Sequence, residues 1–155
     1  MFRGNTTVNL DEKSRFAIPT RYRDRIREIC ACQFMATVAV DENCVGIQGC
    51  LWIYPKPEFE RVESQILALD SASSVGVKLR RFLIGFASDC EMDSQGRVLL
   101  PESLRKFANL EKKTVLVGQI NRLEVWNEEE WNKRQAQFLD SSSTEGIVEM
   151  SKISF

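Results

Sequence analysis

Two aspartate–arginine pairs stand at the same internal spacing in this chain, Asp11 with Arg15 and Asp93 with Arg97. An aspartate that opens a tight turn accepts hydrogen bonds from backbone amides just ahead of it. An arginine at the fifth position then starts the returning strand, so its guanidinium is held at a fixed, exposed place. That planar five-donor fork suits a phosphate or the O6/N7 edge of guanine, and Lys13 adds a compact second charge beside Arg15. Read from the residues alone, the same pairs also serve as ion pairs within the turns that do no more than hold each hairpin.

Other chemistry is scarce. The chain has no histidine, which removes Ser-His and Cys-His nucleophile pairs, HExxH zinc sites and imidazole proton transfer near neutral pH. Neither a P-loop, a G-x-G-x-x-G run nor a G-x-S-x-G elbow occurs. No enzymatic activity and no cofactor are expected. Five cysteines in a chain without an apolar leader suggest reduced thiols in a cytosolic compartment. Four of them, Cys30, Cys32, Cys44 and Cys50, share one stretch, but C-x-C and C-x5-C spacings are poor zinc knuckles, so no metal is expected. With 43% apolar and 28% charged residues the composition is that of an ordinary globular protein. No apolar run reaches the roughly 20 residues a spanning helix needs, so no membrane partner is expected.

The pairs belong to an internal repeat. Residues 10–23 align with 92–105 at an offset of 82, with Asp, Arg, Pro and Arg coinciding. Leu51-Trp52-Ile53-Tyr54-Pro55 with Phe59 aligns with Leu123-Glu124-Val125-Trp126-Asn127 with Trp131 at an offset of 72. The first copy therefore carries about ten extra residues, most simply between Cys30 and Cys50. Within each copy the pattern predicts a hairpin, a proline that stops its second strand, and a short helix. In the first copy Tyr22, Ile26 and Ile29 share a helix face; in the second the helix buries Leu104, Phe107 and Ala108. Strands follow at 35–40 and 51–54, then at 114–117 and 123–126. A closing helix follows each pair, at 58–69 with Phe59, Val62, Ile66 and Leu69 inward, and at 128–139 with Trp131, Gln135 and Phe138 on one side. A linking helix over 75–86 exposes Arg80 and Arg81. The matched Trp52, Tyr54, Trp126 and Trp131 read as core in preference to a base-stacking platform. The expected division is 1–57 for the first unit, 58–83 for a helical connection, 84–139 for the second unit with its closing helix, and 140–155 for a mobile tail.

The net charge of −1 is unevenly spread. Residues 1–29 hold seven basic and four acidic side chains, whereas 124–149 hold seven acidic and two basic. A basic start and an acidic end permit a polyanionic partner that the overall charge alone would argue against.

The paired D-x-x-x-R hairpins, with Phe2-Arg3-Gly4 before the first and Val117-Gly118-Gln119 before the last strand, resemble the MraZ family of bacterial transcriptional regulators over roughly residues 1–139. That family is similar in fold to the AbrB and MazE transcription factors and antitoxins. The resemblance implies a mainly β fold with short helices (α+β), built as two tandem swapped-hairpin, double-split β-barrel repeats. It implies a homo-oligomeric ring that binds repeated boxes in double-stranded DNA upstream of its own division and cell wall operon, in the cytoplasm and over the nucleoid. On it, Arg15 with Lys13 reads or clamps DNA, Arg3 contacts phosphate, Arg97 contributes less because Ser94-Gln95-Gly96 lacks a cation, and Asp11 and Asp93 hold the turns. Ser14 departs from the usual motif glycine, which penalises a turn with positive φ. The alternative is a non-catalytic AbrB/MazE-type protein interaction module, antitoxin-like.

Overall fold

Strand pairing interlocks the two copies of the repeat. The computed structural model describes residues 1–40, 47–140 and 152–154. The first copy supplies β1 (Asn5–Asn9), β2 (Arg15–Ala17), α1 (Thr20–Cys30), β3 (Gln33–Val40), β4 (Ile47–Pro55) and α2 (Lys56–Leu67). A short α3 (Ser74–Leu79) runs on into a π-helical turn at Arg80–Ile84. The second copy repeats the plan with β5 (Ser88–Glu91), β6 (Arg97–Leu99), α4 (Glu102–Phe107), β7 (Lys113–Gly118), β8 (Leu123–Asn127) and α5 (Glu128–Asp140). Six strands form an open sheet in the order β1-β7-β8-β4-β3-β5, and β2 pairs with β6 in a separate two-stranded ribbon.

The expected fold, mainly β with short helices, is what the chain adopts, and its hairpins are exchanged. β1 of the first copy lies against β7 of the second, while β5 of the second lies against β3 of the first, all antiparallel. The copies also meet at β4–β8 and at β2–β6. One apolar core joins them, including Phe2, Phe16, Ile18, Ile26 and Phe34 from the first copy and Val98, Leu100, Leu104 and Leu123 from the second. Pro19 and Pro101 end the return strands in extended backbone (ψ 136° and 143°) and precede α1 and α4, the place where a missing N–H costs a helix nothing. Gly118 lets the N-terminus dock, since a Cβ there would lie 2.4 Å from the Arg3 backbone nitrogen.

Several expectations are corrected. Leu69 is 40% exposed because α2 ends at Leu67, before the turn that would bring Leu69 inward. Phe138 is 78% exposed, since α5 leans on the sheet at its start, where Trp131 packs 5.8 Å from Trp126, and buries no residue along its length. Arg80 is half-buried and donates to the Ser71 carbonyl at 2.8 Å. Phe107 is only partly buried, against Phe86. Glu124, the first acid of the acidic segment, is withdrawn from solvent and only 7% exposed. It accepts the indole N–H of Trp52 on Oε1 (3.1 Å) and that of Trp126 on Oε2 (2.9 Å). Arg122 stacks 4.2 Å from the Trp52 ring, and Arg134 lies 5.7 Å from that of Trp126. These aromatics, with Ala39, Cys50, Val115 and Val117, form a second apolar cluster. Burial pushes up the Cys50 thiol, and raises Cys90 to about 11. Among the described residues no group of three or more Cys, Asp or Glu is placed to hold a metal, and no helix is long and apolar enough to cross a membrane. Cys44, and residues 141–151 and 155 of the expected mobile tail, lie outside the described residues.

Candidate nucleic-acid interface

The two D-x-x-x-R turns have matching geometry. In the first, Asp11 Oδ1 accepts the amides of Lys13 and Arg15, each at 2.9 Å, and the Ser14 amide donates to the Asp11 carbonyl at 2.9 Å. Asp11 Oδ2 takes Nε and Nη2 of Arg15, both at 2.8 Å. In the second, Asp93 Oδ1 accepts the amides of Gln95 and Arg97 at 2.9 Å, and Oδ2 takes Arg97 Nε at 2.9 Å. The Arg15 backbone N–H, followed by its side chain, holds the Asp11 carboxyl below its ordinary value; for Asp93 the leading cause is the Arg97 amide. Each depressed carboxylate therefore favours the folded hairpin above the unfolded carboxylate value and loses that contribution as pH falls through the lower folded value.

Asp11 fixes the arginine without consuming it. Nε and one N–H of Nη2 face the aspartate, which leaves Nη1 and the other Nη2 proton as an end-on fork for an acceptor outside the protein. The sequence placed Arg15 and Arg97 on separate hairpins, but the fold unites them. In the β2–β6 ribbon Arg15 stands opposite Leu99, Phe16 opposite Val98 and Ala17 opposite Arg97. Phe16 and Val98 are fully buried and anchor the inner face. Arg15, Ala17, Arg97 and Leu99 therefore share the outer face, where Arg15 and Arg97 are diagonal neighbours and retain 25% and 30% side-chain exposure.

Arginines of the partner copy support the turns. Arg23 Nε donates to the Ile18 carbonyl at 2.8 Å and lies over Gly96, where a Cβ would meet its guanidinium carbon at 2.3 Å. Arg105 matches it, donating to the Leu100 carbonyl and lining the cleft beside Ser14. Gly96 has φ +79°, and Ser14, at the matching place, has φ +62°. A left-handed residue with a Cβ costs about 1–2 kcal/mol, offset in part by the lower chain entropy glycine brings to folding. Ser14→Gly should accordingly raise unfolding stability by about 0.5–1 kcal/mol, read as a higher denaturation midpoint at unchanged slope. An unchanged midpoint would mean that the Ser14 side chain stabilises this turn in another way.

Arg3 is not brought to the ribbon. Its carbonyl accepts from the Tyr22 hydroxyl, and the five-residue strand β1 separates it from Asp11, about 16 Å at 3.3 Å per residue. Arg21 stands beside it, bonded to Thr6 Oγ1 at 2.9 Å and to the same Tyr22 hydroxyl at 3.0 Å, and with Arg25, Met1 and Phe2 it lines a neighbouring pocket. Arg21 and Arg25 were legible as the exposed side of α1 but were not tied to Arg3, because that tie depends on how α1 meets β1.

The sequence profile of the family described as "MraZ protein, putative antitoxin-like" matches residues 1–81 and 83–152 of the chain. Curated relatives with the name "Transcriptional regulator MraZ" are similar along almost their whole length. One from Methylococcus capsulatus is 43% identical over 97% of this chain and 94% of its own. A second from Alkalilimnicola ehrlichii is 43% identical over 95% and 94%. A third from Haemophilus influenzae is 44% identical over 93% and 91%.

Proposed function

The chain belongs to the MraZ family, and from that membership and the geometry of the ribbon we propose that it is a sequence-specific DNA-binding transcriptional regulator, not an enzyme. One observation carries the reading: two guanidinium groups, each held by its own aspartate and each with donors to spare, stand on one exposed two-stranded ribbon. Such a ribbon is narrow enough to enter a major groove, where an arginine fork meets guanine O6 and N7. Arg15 reads the base edge or clamps the adjacent phosphate, and Lys13 at the tip adds a phosphate contact. Arg97 assists from the diagonal position. Arg3 reaches a phosphate away from the tip, with Arg21 and Arg25 at its side.

The units 1–57 and 84–139, joined through 58–83, act together because each completes the other's sheet. A single protomer offers few DNA-facing cations, so a homo-oligomeric ring that repeats the ribbon gains affinity on tandem boxes through effective concentration. The target is double-stranded DNA upstream of the protein's own division and cell wall operon, and the site of action is the cytoplasm, at the nucleoid. An antitoxin-like protein interaction module is the second reading, favoured by the wording of the family description.

Fluorescence anisotropy with the duplex immediately upstream of the chain's own reading frame, beside a scrambled duplex of equal length, tests the proposal. Binding of the upstream duplex in preference to the scrambled one, weakening steeply with salt, is expected. Equal binding to both, or none, moves the interaction module to the front.

A further inference from the structure

The hairpin exchange surrounds the two turns with different neighbours. Leu10 N–H donates to the Lys112 carbonyl at 2.8 Å and Asn9 pairs with Lys113, so the tip of the first hairpin stands against the α4–β7 connection of the second copy. The matching contacts of the second hairpin are Met92 N–H to the Cys32 carbonyl at 3.0 Å, and Glu91 with Gln33. Lys112 and Lys113 thus occupy the places that Cys32 and Gln33 hold around the other turn. Within the tips, Lys13 likewise corresponds to Gln95.

Lys112 lines an open cleft with Asp11, Glu12, Ser14, Arg105 and Glu111. Asp11 is committed to Arg15. Lys13, Lys112 and Lys113 are exposed and form no ion pair among the described residues. With Arg105 they outnumber the two acids, Glu12 and Glu111. Around the second turn, Arg23 and Arg97 are the basic residues at the corresponding positions, and Ser94 and Ala31 stand where the first has Glu12 and Glu111.

We propose that the DNA site at the first hairpin is composite, with Lys112 and Lys113 of the second copy clamping phosphates beside the groove that Lys13 and Arg15 of the first copy enter. The proposal rests on the DNA-binding reading above. It makes the two hairpins unequal: the ribbon is built with approximate two-fold symmetry, and the lysines select which of its ends engages the duplex. Ammonium groups on flexible stems suit phosphate neutralisation and carry no sequence information, so their loss weakens binding to every duplex alike.

Anisotropy titrations over a series of salt concentrations compare wild type, Lys112→Gln/Lys113→Gln, Lys112→Arg/Lys113→Arg, Arg15→Ala, and a Lys78→Gln/Lys133→Gln control of the same charge change. The glutamine pair should bind about tenfold more weakly, on both the upstream and the scrambled duplex. Its slope of log K against log salt should be shallower by about 1.8 for each hairpin engaged, at roughly 0.9 for each phosphate no longer neutralised. The arginine pair and the control should match wild type. Should the glutamine pair retain wild-type affinity and slope while Arg15→Ala loses binding, the composite site is wrong and the DNA reading stands. A control that weakens as much as the glutamine pair reduces the effect to net charge and overturns the proposal. If wild type does not bind, the DNA reading itself fails and the composite site with it; if wild type binds and Arg15→Ala binds equally well, the first hairpin is not the reader and the composite site is wrong.

Discussion

Arg15→Ala should lower affinity for the upstream duplex by roughly 100-fold while leaving the fold and the oligomer intact. A bidentate arginine contact is worth about 1–3 kcal/mol of discrimination, and 1.4 kcal/mol is a factor of ten in affinity. Two or more copies engaged on neighbouring boxes multiply that factor. The substitution leaves the core alone, because Phe16, the next residue, supplies the buried anchor of β2. It also frees Asp11, whose Oδ1 still accepts the amides of residues 13 and 15, so the turn keeps most of its support. Arg97→Ala should cost only a few-fold, although its amide and Nε bond Asp93 as those of Arg15 bond Asp11. The difference lies in surroundings: Lys13, Lys112 and Lys113 flank the first turn, and Gln95, Cys32 and Gln33 the second. Anisotropy on both variants, with circular dichroism and size-exclusion chromatography as controls, measures the gap. Equal losses for the two arginines would mean that the ribbon is used symmetrically.

Glu124→Ala should cost about 3 kcal/mol of unfolding stability without touching the DNA-facing surface. A hydrogen bond to a charged group contributes about 1.5–3 kcal/mol, and a buried donor left without a partner costs about 1–3 kcal/mol. Glu124 serves two such donors, one on the buried Trp126 and one on the half-buried Trp52. Because Trp52 stands opposite Glu124 in the β4–β8 pairing, the loss falls where the two copies join. Denaturant unfolding followed by tryptophan fluorescence reads it directly. Glu124→Gln should lose less, since its amide oxygen still accepts one indole while its NH2 faces the other. A shift within about 0.5 kcal/mol for Glu124→Ala, the range of ordinary surface substitutions, would show that the carboxylate is dispensable and that its burial costs as much as its hydrogen bonds return.

Local features were legible in the sequence because local chemistry determines them. The aspartate turns, the proline-initiated helices α1 and α4 and the apolar spacing of Tyr22 and Ile26 all follow from residues within a few positions of one another. The positive φ at Ser14 was signalled as well, through the glycine usual at that place in the family's motif. Pairing between distant segments was not legible in the residues themselves; the swapped hairpins came only from the family resemblance. Nothing within residues 5–9 specifies β7 as a partner in preference to β2; the choice is made by the core that Phe2, Phe16 and Leu116 build together.

That non-local choice explains what the sequence concealed about the site. The union of Arg15 and Arg97 on one ribbon follows only once β2 is known to pair with β6. Lys112 and Lys113 lie far along the chain from Lys13, in a segment that neither aligned block of the repeat covers. Aligning Cys32-Gln33 with Lys112-Lys113, at an offset of 80, would have exposed the charge difference. Leu69 and Phe138 failed for another reason: helical periodicity says which side chains share a face, but not where a helix ends or how much of that face is buried.

A photo-crosslinking residue placed at exposed Glu12 in the first turn, and separately at its counterpart Ser94 in the second, decides which hairpin meets DNA. With the upstream duplex bound and irradiated, a strong protein–DNA crosslink is expected from position 12 and little from position 94. Crosslinking from position 94 alone, or from neither position while the duplex remains bound, would show that the first hairpin is not the DNA reader.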